Sequence, residues 1–214
     1  MNLSVKIFIF TYIKATFMEK RCRYICGIDE AGRGPLAGPV VVASVIFKEN
    51  NAIEGVRDSK KLTEKHREEL YEKIIETCVD YKIETIDNKT IDRINILSAT
   101  MLGMEKCLTK LININFKLFI DGNYFKLRNG IHKKYDFETV VGGDDKIFEI
   151  SCASILAKVY RDRLMIEFDK IYPQYLFAKN KGYGTPEHIE RIREYGLCEI
   201  HRETFCRKFM QLSF

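Results

Sequence analysis

Residues 26–47, CGIDEAGRGPLAGPVVVASVIF, constrain the fold more tightly than any other part of the chain. Two apolar runs rich in β-branched residues, 23–29 and 39–47, flank a loop of glycine and proline, so both read as strands. A parallel crossover needs about a dozen residues or more, and the connection here is shorter, so the two strands pair antiparallel. The first run ends in adjacent acids, Asp29 and Glu30, and the loop that follows sets Arg33 between Gly32 and Gly34.

The rest of the chain alternates in the same manner. Residues 63–78 read as a helix capped by Thr63, with Leu70, Ile74, Ile75 and Cys78 on one face. YKIETI (81–86) reads as a strand, and Ile94, Leu97, Met101, Met104 and Leu108 have the spacing of one amphipathic helix. FKLFI (116–120) ends at Asp121-Gly122-Asn123, and DFETVV (136–141) runs into Gly142-Gly143-Asp144-Asp145. A helix is expected over 150–170, stopping before Pro173, and a last clear one from Thr185-Pro186-Glu187 to Gly196. That order predicts an α/β domain with a mixed sheet flanked by helices and a small C-terminal helical extension. The expected division is 18–173 for the main domain and 174–214 for an extension packed on the same core. Residues 1–17, MNLSVKIFIFTYIKATF, are either an extra edge strand or an appendage. Lys6 and Lys14 interrupt them, and their apolar core is too short to span a bilayer.

Composition narrows the class. With 46% hydrophobic and 30% charged residues over 214 positions, the chain is expected to be globular and soluble. Seven cysteines without framework spacing suggest reduced thiols in a cytoplasmic protein. Cys198, His201 and Cys206 cluster near the end, but without a CxxC pair they read as thiols rather than as a zinc site. The formal charge of +5 barely favours nucleic acid by itself, so the placement of the basic residues matters more than their number.

Acids at the ends of three strands point to a metal. Each alone would be a turn or cap residue, but ligands bind α/β sheets where strand ends open onto loops. Carboxylates converging there repel one another and titrate high, and a hard divalent cation such as Mg²⁺ relieves that repulsion. A pair of such ions can drive phosphodiester cleavage. Basic residues fit a phosphate substrate: Arg33 in the loop, Lys60 and Lys61 after Ser59, Lys158, Arg161 and Arg163 on one helix, and Lys179 and Lys181 before Gly182-Tyr183-Gly184. The start of a helix beside Ser59-Lys60-Lys61 would offer amide groups to an anion.

GIDEAGRGPLAGPVVVA, DSKKLT, FIDGN, GGD, ISCASILAKVYRDRLM, YPQY and KGYGTPEH, in that order, resemble the ribonuclease HII family over about residues 24–205. The resemblance implies a ribonuclease H-like fold and cutting of RNA in RNA/DNA hybrids, including a ribonucleotide embedded in duplex DNA. It implies Mg²⁺ or Mn²⁺ as cofactor, held by Asp29, Glu30, Asp121 and Asp144 as the catalytic acids. Asp145 duplicates the last acid, and the flanking glycines and the ISCAS block favour Asp144. The resemblance also implies that Gly32, Arg33 and Gly34 bring backbone against the ribose 2′-hydroxyl, the group that separates RNA from DNA. Ser59, Lys60 and Lys61 are expected at phosphate, and Tyr183 at the ribonucleotide and the next sugar. Cys152 stands where a small residue such as alanine is usual. A monomer without membrane attachment is expected. Recruitment by a replication clamp has no evident motif. Two rival families differ from this pattern. Ribonuclease HIII differs at the Arg33 position and carries a longer N-terminal domain, and a non-catalytic hybrid-binding protein would lose some acids.

Overall fold

Strand β1 (Tyr24–Ala31) and strand β2 (Val40–Lys48) form the antiparallel pair that the loop length requires, with Gly27 opposite Val45 and Glu30 opposite Val42. The computed structural model describes residues 24–56 and 63–210. The expectations for residues 1–17 and for Ser59, Lys60 and Lys61 therefore lie outside the described residues.

Helix α1 (Glu64–Thr77) follows, its first turn capped by Thr63, whose hydroxyl accepts the His66 N–H. Then come β3 (Asp80–Ile86), α2 (Asn88–Ile94), α3 (Ile96–Lys110), β4 (Phe116–Asp121) and β5 (Asp136–Val140). A long helix α4 (Phe148–Ile171) leads to α5 (Phe177–Asn180), α6 (Pro186–Tyr195) and α7 (Glu203–Met210). The sheet is five-stranded in the order β3-β2-β1-β4-β5, with β3, β2 and β1 antiparallel in succession and β1, β4 and β5 parallel. The mixed sheet flanked by helices agrees with the expected class. Among the described residues no helix is long and apolar enough to cross a membrane.

One helix differs from its sequence pattern. Ile94 closes α2 rather than opening α3, because Asn95 takes φ 64° between them and accepts the Ser98 N–H with its side chain. A left-handed residue cannot continue a helix, and asparagine tolerates that conformation better than most side chains. Leu97, expected on the buried face, is 41% exposed, while Ala99, Thr100, Gly103, Met104, Cys107 and Leu108 face the sheet. Helix α7 was absent from the sequence reading as a defined element. Eight residues of amphipathic helix give too short a periodic signal.

Both faces of the sheet are covered. Alternate residues of β2 explain how: Val41, Ala43, Val45 and Phe47 pack with α1 and α4, and Val42 and Ile46 pack with α3. A third apolar cluster joins Leu36, Ala37 and Met165 to Tyr175, Phe177, Ile192, Ile200 and Cys206, so α5–α7 rest on the glycine loop and on α4. β1 and the first turn of α4 approach backbone to backbone. A Cβ on Gly27 would stand 2.1 Å from the Glu149 carbonyl carbon and 2.4 Å from the Ile150 nitrogen. Backbone cannot yield as a side-chain tip does, so Gly27→Ala is expected to destabilise the fold by about 3 kcal/mol or more. Urea unfolding of the two chains checks this, and equal midpoints would contradict the packing described.

Candidate active site

Parallel pairing of β1, β4 and β5 brings their carboxyl ends to one edge of the sheet. The last registered pair of β1 and β4 is Ile28 with Ile120, and one residue further lie Asp29 and Asp121. Ile28 and Ile120 belong to the α3 face, so Asp29 and Asp121 turn to the α4 face, and Glu30 leaves β1 on the opposite side. Asp144 sits in a single 3₁₀ turn (Gly143–Asp145) between β5 and α4. The topology therefore gathers all four predicted acids at one edge from segments nearly 120 residues apart in the chain.

Each acid is held by its surroundings. Asp29 is only 5% exposed; its Oδ1 accepts the Glu30 N–H at 2.7 Å, and Ser154 of α4 donates to it. Burial, followed by the charges of Glu30 and Asp121, pushes its carboxyl well above the usual range. Burial also raises Glu30, against the opposing pull of Arg33, whose Nη1 lies 3.2 Å from Glu30 Oε1. Asp121 Oδ1 accepts the Gly143 N–H at 2.7 Å. Asp144 is buried and Asp145 exposed, and the Ser151 hydroxyl donates to the Asp144 carbonyl at 2.5 Å. Of the two adjacent acids it is Asp144, the one favoured by motif, that turns inward. Among the described residues no three carboxylates, imidazoles or thiols already enclose a metal position. The donor chemistry nonetheless fits a hard cation: all the candidate ligand atoms are carboxylate oxygens, and Asp29 among them is deeply desolvated.

The glycine loop lies next to these acids. Gly32 has φ +95°, and a Cβ there would meet Arg161 Nε at 2.0 Å, so only glycine fits. Tyr183, 43% exposed, stands beside Gly34, where an added Cβ would come 4.0 Å from its ring. The two segments are tied together by Leu36 and Ala37, whose N–H groups both donate to the Gly182 carbonyl. Asn180 braces the same turn, donating to the Tyr175 carbonyl and accepting the Gly182 N–H.

Most of the cations expected at phosphate are paired within the protein. Lys158 pairs with Asp162, Arg163 with Glu68 and Glu72, and Lys179 with Glu187. Arg161 is buried and donates to backbone carbonyls. Lys158, Arg161 and Arg163 share one helix in the sequence, and only the packing of α4 shows which way each turns. The zinc alternative does not form: Cys198 contacts His201, but the Cys206 thiol donates to the Leu36 carbonyl instead. Cys152, at 0% exposure, fills a core position on α4. Sequence reasoning missed Ser151, Ser154 and Asn180 as supports and Arg202 altogether. The ISCAS block contained the serines, but nothing in the spacing marked which way they face.

Known proteins decide the family. The ribonuclease HII family model matches residues 26–208. The chain belongs to the ribonuclease HII family. A ribonuclease HII of Caldicellulosiruptor saccharolyticus is 47% identical over 199 residues, covering 93% of this chain and 95% of that protein. The crystal structure of ribonuclease H2 from Pyrococcus horikoshii superposes with a TM-score of 0.69 at 29% identity, covering 88% of this chain and 97% of that one. Ribonuclease HII from Archaeoglobus fulgidus, solved in complex with PCNA, gives a TM-score of 0.69 at 25% identity, covering 83% of this chain and 92% of that one. The fold is ribonuclease H-like, and the enzyme is a ribonuclease H, a hydrolase of RNA in RNA/DNA hybrids.

The Asp29 carboxyl also makes a stability statement. A carboxyl whose folded pKa exceeds its unfolded value supports folding while protonated and opposes it once pH rises through the folded value. Asparagine keeps an acceptor for the Glu30 N–H and never ionises. Asp29→Asn is therefore expected to melt above the parent at neutral pH without divalent ions, by roughly 2–4 °C per kcal/mol of relieved burial and repulsion. The gap should shrink as pH falls below the folded pKa and vanish near the unfolded one. Melting curves in EDTA across pH check this, and a lower-melting variant at neutral pH would refute it.

Proposed function

We propose that this enzyme hydrolyses the RNA strand of hybrids and also cuts on the 5′ side of ribonucleotides embedded in duplex DNA, leaving 3′-hydroxyl and 5′-phosphate ends. The observation that carries this reading is the meeting of two chemistries at one sheet edge: Asp29, Glu30, Asp121 and Asp144, and beside them Gly32-Arg33-Gly34 with Tyr183. The four acids would hold Mg²⁺ or Mn²⁺, which when bound supplies an activated water and charge for the leaving oxygen. Asp29, held by Glu30 N–H and Ser154, is oriented before any ion arrives. Asp121 is oriented likewise by Gly143 N–H. Gly32-Arg33-Gly34 presents backbone to the ribose, and the 2′-hydroxyl, both donor and acceptor, answers to it. The half-exposed Tyr183 ring offers an apolar face to a sugar and a hydroxyl to the junction. We assign 18–173 to catalysis and 174–214 to an extension that seats Tyr183. Support for this division comes from the apolar cluster running from Leu36 and Met165 to Cys206.

The test is a cleavage map on a labelled duplex carrying one ribonucleotide. The expected product is a single cut 5′ to that nucleotide with 3′-hydroxyl and 5′-phosphate ends, abolished by excess EDTA. A 2′,3′-cyclic phosphate end, or undiminished cutting in EDTA, would sink the mechanism.

Asp144 and Asp145 give a second check on the same site. Charge stabilisation at a reacting phosphate is worth on the order of 10²–10³ in kcat for a single group. Asp144→Asn should lose at least that much with its melting temperature retained, while Asp145→Asn should stay within a few-fold of the parent. Reversed effects in steady-state kinetics would shift the metal ligand to Asp145.

A further inference from the structure

Two arginines, Arg161 and Arg202, are 1% and 0% exposed, and neither forms an ion pair among the described residues. Their partners are backbone carbonyls of the glycine loop and its neighbours. Arg202 donates from Nε to Gly38 at 2.9 Å, from Nη1 to Arg33 at 3.0 Å and from Nη2 to Gly32 at 2.6 Å. Arg161 donates to Pro39, Lys181 and Ala37 at 3.0, 2.9 and 3.2 Å. Burying a guanidinium without a counter-charge is costly, and a hydrophobic side chain would fill the same space more cheaply. Burial, and then repulsion from Arg161, lowers Arg202 to about 9. Such an arrangement persists where the fork of donors sets a shape that packing alone would not.

That shape follows from the planar peptide unit, in which C=O and N–H point in opposite directions. With the Gly32 carbonyl drawn inward by Arg202, the Arg33 N–H turns outward. With the Arg33 carbonyl drawn inward, the Gly34 N–H turns outward as well. Neither N–H finds an acceptor among the described residues. The neighbouring amides of Leu36, Ala37 and Gly38, by contrast, donate to Gly182 and Ile200. The outward pair borders the acids on one side and the Tyr183 ring on the other.

We propose that Arg202 is a positioning residue for ribonucleotide recognition: its guanidinium fork holds the carbonyls of Gly32 and Arg33 so that the Arg33 and Gly34 N–H groups face the sugar of the substrate. The inference rests on the reading of the glycine loop under the proposed function and adds the residue that aims it. Lysine, a point charge on a flexible stem, cannot serve three carbonyls in this fixed geometry. Asn88 joins in from the other side of the same segment, donating to the His201 carbonyl, and Asp92 accepts the Glu203 and Thr204 N–H groups. Arg202 is thus anchored by backbone on both sides before it reaches the loop.

The experiment measures Kd by fluorescence anisotropy in excess EDTA, on two duplexes of one sequence, all-DNA and with a single ribonucleotide. The parent, Arg202→Lys and Arg202→Gln are compared, with thermal melting alongside. The parent is expected to prefer the ribonucleotide duplex. Either variant should lose roughly fivefold or more of that preference, the cost of about one misplaced hydrogen bond. Affinity for the all-DNA duplex should stay near the parent's, while both variants melt lower yet remain folded at the assay temperature, because buried carbonyls lose donors. Preference retained in both variants overturns the proposal. Unfolding of both, or equal loss on both duplexes, also overturns it and makes Arg202 a packing residue. A parent that fails to discriminate removes the reading of the glycine loop itself, and the inference with it.

Discussion

Everything at the site depends on how closely the first turn of α4 lies against β1. The Gly27 Cα sits where a single added carbon would overlap the backbone of Glu149 and Ile150. This contact brings Ser154 within reach of Asp29 and leaves Asp144, just before α4, at the same edge as Asp121. A wider spacing would leave the acids on a solvated rim. There Asp29 and Glu30 would lose the burial that raises them. Close packing converts a row of strand-end carboxylates into a desolvated, mutually repelling group.

That repulsion is a local cost to the fold. Burial, and then the charges of Glu30 and Asp121, raise the Asp29 carboxyl. Hydrogen bonds from Glu30 N–H and Ser154 offset part of it, and Arg33 does the same for Glu30 at the exposed margin. An exposed pair such as Arg33 with Glu30 contributes little to stability. Its use is to hold a carboxylate that would otherwise swing into solvent.

The glycine loop is governed by the opposite charge. Two buried guanidiniums draw its carbonyls inward, and the histidine pair nearby supports the facing turn. His188 Nδ1 lies 2.8 Å from the Tyr183 carbonyl, and its Nε2 lies 3.1 Å from His201 Nε2. A carbonyl can only accept, so His188 carries its proton on Nδ1, and His201, accepting the Cys198 N–H at its own Nδ1, donates from Nε2. His201 and Arg202 are neighbours in the chain, so one short stretch before α7 supports both Tyr183 and the Gly32–Gly34 backbone. His201 and Arg202 therefore support the loop and the facing turn together.

The strand pair, the acids at strand ends, the caps at Thr63 and Thr185 and the family were legible in the sequence. These depend on local pattern: alternating or continuous apolar runs, glycine and proline at turns, and motifs a few residues long. The break at Asn95 and helix α7 were not legible, because one left-handed residue and eight residues of helix leave almost no periodic signal. The surroundings of the basic residues of α4 were not legible for a deeper reason. Spacing along a helix tells which side chains share a face, but not what that face meets. Arg161 and Arg163 differ by two positions, and one is buried under the glycine loop while the other pairs with α1 at the surface. The chain by itself determined which chemistry is present, because residue type and order carry it. Only the tertiary structure decided which charges are desolvated and which amides face outward, because those follow from contacts between segments more than 160 residues apart, as Arg202 and Gly32 are.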